Sequence, residues 1–286
     1  MRRPAILVCA IALLSSAACT PDSAEQPRHS ASASASAPAS ASVPVPGAAA
    51  DQGATVRDAV AATLKSTARV EERTEMSGPA EMNFTVAANG EFDMAGGGGR
   101  LAAKLGMSVD ATKTIPLDEI FTRDTVYFRM PEEKSGDTAW RSVSRKEAQA
   151  HYLLRPPMND PEYTLRQAAM MRGAAKVGEE SVNGKPAVRY RGKLDHEAIT
   201  VRMAPDRRAK LDSGLKQMGG EIPVFADVWI NHDGLIARTL LSSGMGQVRI
   251  KMTTDFTDLG KPVEPPAAPE AVESLPADMA GGPLTG

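Results

Sequence analysis

The segment "VRIKMTTDF", residues 248–256, alternates without a slip. Val248, Ile250, Met252, Thr254 and Phe256 fall on one side, and Arg249, Lys251, Thr253 and Asp255 on the other. Successive side chains of an extended strand point to opposite faces, so this period of two fixes a strand that is covered on one side and solvated on the other. Just upstream, "IPVFADVWINHDGLIARTLLSS" puts Val224, Ala226, Val228 and Ile230 on one face and Phe225, Asp227, Trp229 and Asn231 on the other. It turns at Asp233-Gly234 and returns with Leu235, Ala237, Thr239 and Leu241 on a shared face. Such Asp-Gly and Asn-Gly pairs tolerate the positive backbone angles of a tight hairpin turn. This third of the chain is thereby committed to an antiparallel sheet with a single covered face.

The same rhythm recurs earlier. "AAKVGEESVNGKPAVRYRGKL" predicts a hairpin turned at Asn183-Gly184, and "MNFTVAANGEFDM" predicts two short strands turned at Asn89-Gly90. Further strand signals are "RLAAKLGMSV", "LDEIFTRDTVYFRM" and "TAWRSVS". The run Gly96 to Gly99 is followed by Arg100 and not by the Lys-Ser/Thr of a phosphate-cradling loop, so it reads as a hairpin loop. Helical spacing appears in four places. Val56, Ala59, Val60, Thr63 and Leu64 share one face behind an expected N-cap at Thr55. Two more pieces fall around Lys146 to Leu154 and Glu162 to Arg172, the second with Pro161 at its start. The last spans Asp206 to Met218, with Leu211, Leu215 and Met218 on one side and Gly219-Gly220 ending it. A long antiparallel meander with a few amphipathic helices is an α+β fold in one domain.

The ends of the chain have a different character. Arg2 and Arg3 precede an apolar run from Ala5 to Leu14, too short to cross a bilayer, and Ser15, Ser16, Ala17 and Ala18 lead into Cys19. This run resembles the lipobox of bacterial lipoproteins, in which the leader is cut before the cysteine and the thiol receives a diacylglyceryl anchor. Ser16 departs from the pattern, standing where that family carries an aliphatic residue. The expected organisation is a signal peptide over 1–18, a disordered Ser/Ala/Pro tether over 19–53 with lipidated Cys19, a folded domain over 54–271 and a disordered tail over 272–286. The tether and tail are too poor in apolar residues to offset the entropy of ordering them.

Several function classes are excluded or disfavoured by composition. A formal net charge of -2 with 4% aromatic residues lacks the basic excess and stacking platforms of a nucleic-acid binder. Once Cys9 leaves with the leader, Cys19 has no partner for an internal disulfide. The four histidines, His29, His151, His196 and His232, show no metal-ligand spacing, and no cofactor or metal is expected. No nucleophile elbow or zinc-binding helix motif occurs, and Asp118-Glu119 and Glu179-Glu180 read as solvated charges, so the protein is not expected to be an enzyme. The 14 methionines suit core filling or an adaptable apolar surface.

The order of the second half resembles the LppX and LprG group of actinobacterial cell-envelope lipoproteins. The residues that carry the resemblance are Asn183-Gly184, Trp229, Asp233-Gly234, Asp255-Phe256, Gly260, Pro262-Val263 and Pro269, and it is strongest after about Lys176. It implies a LolA-like fold, a strongly curved, unclosed antiparallel half-barrel with helices covering its concave apolar face. It further implies a lipoprotein at the extracytoplasmic face of the cell membrane that binds an acylated lipid between sheet and helices. The expected apolar wall is Val224, Val228, Ile230, Leu235, Val248, Ile250 and Met252, and the expected lid is Val60, Leu64, Leu211 and Leu215. The alternative is a non-catalytic sensor or adaptor that binds a partner protein in the envelope.

Overall fold

A computed structural model describes residues 51–79, 83–107, 114–130, 139–218, 220, 222–264, 266–282 and 285. Cys19 and the Ser/Ala/Pro tether up to residue 50 lie outside them, whereas Asp51, Gln52 and Gly53, expected in the tether, are folded: the Ala174 amide donates to the Asp51 carboxylate at 3.0 Å and Gly53 opens the first helix.

The chain begins with α1 (Gly53–Thr63) and then makes six consecutive strands, β1 (Thr67–Ser77), β2 (Phe84–Asp93), β3 (Gly98–Met107), β4 (Thr114–Phe121), β5 (Thr125–Arg129) and β6 (Trp140–Ser144). A loop leads into α2 (Pro161–Ala169), followed by the hairpin β7 (Arg172–Val182) and β8 (Lys185–Leu194). The short α3 (His196–Thr200) and the longer α4 (Pro205–Met218) precede β9 (Val224–Asn231), β10 (Ile236–Met245), β11 (Val248–Thr257) and a short β12 (Val272–Ser274). All twelve strands form one sheet, in the order β12-β6-β5-β4-β3-β2-β1-β11-β10-β9-β8-β7. Its edges are β12 and β7, so the curved sheet stays open. Pairing is antiparallel except between β12 and β6, which run parallel. The α+β half-barrel expected from the sequence is therefore present, with a mixed edge.

The alternation in the last third sets the inner face as expected. Val224, Ala226, Val228, Ile250, Met252 and Phe256 join one continuous core, while Trp229 sits on the outer face in a separate small cluster with Val182 and Ala187. There Asp227 is closed off by Arg189 and Arg191 at 2.7 and 2.9 Å, and Arg189 lies 5.0 Å over the Trp229 ring. The Trp-bearing strand is thus locked to its neighbour from the outside. The return strand departs from the simple reading. A bulge between Ile236 and Arg238 makes Ala237 the extra residue, so Ile236, Thr239 and Leu241 face inward, and Leu235 stays in the turn outside the core cluster. The Ile236 amide donates to the Thr63 hydroxyl at 2.8 Å, which fastens the end of α1 to the bulge.

Several expectations are corrected. "MNFTVAANGEFDM" is one strand and not a hairpin: β2 passes straight through Asn89-Gly90. Gly90 is there for space, because a Cβ would lie 1.7 Å from the Arg100 carbonyl oxygen on β3. Lys146 to Leu154 forms a turn and a bridge from Ala150 to Met203, with no helix. α1 starts at Gly53, so Thr55 lies within it and Gln52 is the cap position. Asp160, not predicted, caps α2 by accepting from the Glu162 amide at 3.0 Å. The described residues of the tail expected to be loose pack on the domain: β12 pairs with β6, Ala280 enters the core and Thr285 is buried.

Gly90→Ala should drive β2 and β3 apart and destabilise the protein by about 3 kcal/mol, the upper range for overpacking a tight site. Thermal unfolding reads this directly, and an unchanged midpoint would show that the strands do not approach so closely.

Candidate functional site

Three features stand out around and within the inner face. The first is an open pocket of about 980 Å3 where β1, β10 and β11 meet the near ends of β2 and β9. Met76, Phe84, Pro223, Phe225 and Ile250 make it mainly apolar, and Ser243 and Lys251 add polar groups at its wall. Phe225, 36% exposed, is one of few large apolar side chains left open to solvent. α4 enters β9 at this same end, and among the described residues its contacts with the core are made by the half-buried Leu211 and Leu215. His196 Nε2 and Asp212 Oδ1, 3.2 Å apart, tie it to α3.

The second is a smaller apolar cavity of about 450 Å3 between the inner side of β3–β5 and the C-terminal segment. Leu105 and Phe128 form its floor, and Leu275 and Ala280 its cover.

The third feature is polar and lies in the middle of the core. Glu72 on β1 pairs across the ladder with Thr254 on β11, which pairs with Thr239 on β10. Directly opposite residues on adjacent strands stand roughly 5 Å apart at Cβ. All three face inward and are buried, and their side-chain oxygens have no hydrogen-bond partner among the described residues. Thr74 on the same strand is in the same condition. Burial pushes the Glu72 carboxyl up to about 8, against the lowering pull of the Arg155 guanidinium. Glu119, read from the sequence as a solvated charge, is 1% exposed and points inward from β4. Its carboxyl is also held well above the usual range by burial, although Asn159 Nδ2 donates to its Oε2 at 2.9 Å.

Arg155 and Asn159 reach this cluster from the loop between β6 and α2. Arg155 Nη2 donates to Asn159 Oδ1 at 2.6 Å, and burial lowers the guanidinium to about 10. The loop is strained to place them: Leu154, Met158 and Asn159 all hold positive φ, at 65, 55 and 50°. Non-glycine residues in that region cost of order 1 kcal/mol each and persist only where the surroundings impose them.

Of the residues expected to form the apolar wall, Val224, Val228, Ile230, Ile250 and Met252 face inward and are buried, and Val248 is half-buried against the core. Leu235 is not among them, for the bulge given above. On the helices Val60 is buried, and Leu64, Leu211 and Leu215 pack half-buried against the core. Only Ile250 of this set lines the large pocket. The rest sit behind it in closely packed surroundings. Among the described residues no three His, Cys, Asp or Glu side chains converge as a metal site.

No known family model matches the chain. An uncharacterised 31.2 kDa protein of Streptomyces griseus is 25% identical over 130 residues, covering 44% of this chain and 43% of that protein, so the match spans under half of the relative's length. Among solved structures, LprF from Mycobacterium bovis is similar at a TM-score of 0.47 and 13% identity, over 77% of this chain and 99% of that one. The lipoprotein LppX of Mycobacterium tuberculosis follows at 0.39 and 14%, over 75% and 97%. A LolA superfamily protein from Nitrosomonas europaea gives 0.28 and 8%, over 76% and 96%.

The raised Glu72 carboxyl predicts a pH dependence. Between the ordinary value of 4.5 and about 8 the unfolded chain gives up this proton while the folded chain keeps it, so folding stability falls as pH rises through that window. Glu119 acts in the same direction. Glu72→Gln should flatten part of this slope and raise the unfolding midpoint at pH 8 relative to the parent. Parallel pH profiles for parent and variant would refute the assignment.

Proposed function

We propose that the protein is a membrane-anchored envelope lipoprotein whose folded domain holds an acylated lipid. The observation that carries this is the 980 Å3 pocket at the open end of the sheet, within the range of roughly 300–1,000 Å3 for small-ligand sites and lined mainly by apolar groups. An acyl chain requires apolar walls and no chemistry, because each buried methylene contributes about 0.8 kcal/mol. Met76 is a suitable wall residue, being flexible enough to adjust to chains of different shape. α4 is the natural cover: it leads into the pocket's end of the sheet and is held to the core by two half-buried leucines. Outward displacement of α4 would join the pocket to the inner face lined by Val224, Val248, Ile250 and Met252.

The anchor reading rests on the leader and on Cys19, and on the resemblance of the second half to the LppX and LprG group. It places the domain at the extracytoplasmic face, tethered by a diacylglyceryl group, with a lipid as its ligand and no catalytic step. The long Ser/Ala/Pro segment then gives the domain reach from the bilayer.

Solvent extraction and mass spectrometry of purified full chain carrying Cys19→Ala tests the ligand. Lipid should co-purify with it, and Ser243→Phe, which fills the pocket wall, should lower the bound amount several-fold without unfolding the protein. Lipid-free preparations that also take up none when it is offered would reject the carrier reading. Cys19→Ala should in addition release the protein from the membrane fraction, and retention of the variant would reject the anchor.

A further inference from the structure

The opposite end of the sheet holds a cavity of another kind, about 480 Å3 in volume, between the β2–β3 hairpin, the β4–β5 turn, the end of β6 and α2. Arg123, Arg145, Lys146, Arg166 and Arg202 line it, against the two carboxylates Asp160 and Glu162. Lys146 is paired with Asp124 at 3.3 Å just outside the lining, so five cations against these three carboxylates leave an excess of two positive charges, in a chain whose formal net charge is -2.

Both lining carboxylates are already engaged. Arg145 holds Asp160 through Nε and Nη2 at 2.8 Å each and reaches Glu162 at 2.9 Å, and Arg166 approaches Glu162 at 3.4 Å. Among the described residues Arg123 and Arg202 form no ion pair with a carboxylate. Arg202 is the more telling. Its Nη2 donates to the carbonyls of Arg145 and Ala148, its guanidinium stands 5.9 Å over the Tyr163 ring, and its Nε is buried with no acceptor. Its backbone is held at φ +57°, so the chain bends locally to keep the side chain there. Burial lowers the affinity of this guanidinium for its proton, and the like charges of Arg145 and Arg166 add to the effect. Cations crowded around a cavity, one with an unused buried donor, are stabilised by an anion that accepts from them.

We propose that this cavity binds a phosphate-class oxyanion, with the guanidinium groups of Arg123 and Arg202 as its donors and Lys146 and Arg166 at the rim. β1 alone has 11 residues between the two ends of the sheet, roughly 35 Å at the rise of an extended strand. The anion site is therefore separate from the apolar pocket, and one lipid does not fill both. The same chemistry could be supplied by free phosphate or by the phosphate of a lipid headgroup.

Two arms distinguish these sources, both on the full chain carrying Cys19→Ala so that the anchor does not contribute. Titration calorimetry with inorganic phosphate should show saturable binding, weakened about tenfold by Arg123→Gln, as for loss of one charge-assisted contact. Arg123 is exposed, so this variant should fold as the parent does. Flotation with phosphatidylglycerol vesicles, against phosphatidylcholine vesicles, reads the second source. Enrichment on the anionic vesicles that Arg123→Gln abolishes assigns the headgroup, and phosphate binding without enrichment assigns the free ion. The remote exposed cation Lys193 is the control, and Lys193→Gln should leave both signals unchanged. Absence of both signals, or equal losses from Arg123→Gln and Lys193→Gln, overturns the site. Ser243→Phe should not alter phosphate binding, so failure of the lipid reading and failure of this one are separable.

Discussion

A sheet of twelve strands whose edges never meet leaves one whole face to be covered, and the rest of the chain is arranged by that requirement. Every strand but the short β12, whose three residues are exposed, contributes inward residues, and an uncovered apolar face of this size would favour association over a stable monomer. α1 and α2 cover the side of β7 to β10, and the C-terminal segment covers β3 to β5. The covering elements are held by a few directed contacts. Arg145 is the chief of these: one guanidinium takes Asp160 and Glu162 at the start of α2 and the Gly97 carbonyl in the β2–β3 hairpin at 2.8 Å. Planar, bidentate geometry with further acceptors is what allows such a buried pair to offset its desolvation.

The covered face is less uniform than a sheet built for stability alone. Glu72 stands in a position where Val or Ile would pack as well and lose no hydrogen bonds, and Thr239 and Thr254 extend the polar row across two more strands. A carboxyl there survives by keeping its proton, since the neutral form costs far less to bury than the charged one. Arg155 and Asn159 are brought against the same region by a loop with three non-glycine residues at positive φ. Local choices that oppose packing, backbone comfort and solvation together are where a sequence serves something besides folding.

That same row explains what the sequence concealed. Strands with apolar inner residues, as in Val224 to Ile230 and Val248 to Phe256, announce both their type and their register. β1 gives no such signal, because two of its inward positions are Glu72 and Thr74 and its outward ones are charged, so a central strand reads as a solvated connector. Glu119 misleads by its charge: the two-residue period places it on one face with Leu117 and Phe121, and reading the Asp118-Glu119 pair as solvated overrode that signal. Asn89-Gly90 carries the chemistry of a hairpin turn but serves the close approach of β2 and β3, which depends on a partner strand distant in the chain. Leu235 and Ile236 could be ranked only with knowledge of the bulge, and the bulge is settled by α1, through the Thr63 hydroxyl. The turns Asn183-Gly184 and Asp233-Gly234 were legible because their positive backbone angles, at Asn183, Gly184 and Gly234, are ones that these residue types accept locally.

The two ends of the sheet differ in the way they are closed, and this difference gives the molecule a direction. At one end the β2–β3 hairpin, the end of β6 and α2 are bound together by ion pairs at 2.8–2.9 Å, with cations left over around a polar cavity. At the other, no comparable network forms among the described residues, and there α4 rests on the core through Leu211 and Leu215. Apolar contacts of that extent are non-directional and weak enough to be exchanged for a ligand's own methylenes, whereas a bidentate ion pair in the interior is not. Entry through the α4 end therefore disturbs the least structure. Inward from there the register runs from Ser243 to Thr74 and then to Glu72, so the unpartnered polar atoms of the inner face are ranged from the α4 end toward the middle of the core, the order in which a lipid would meet them under the function proposed above.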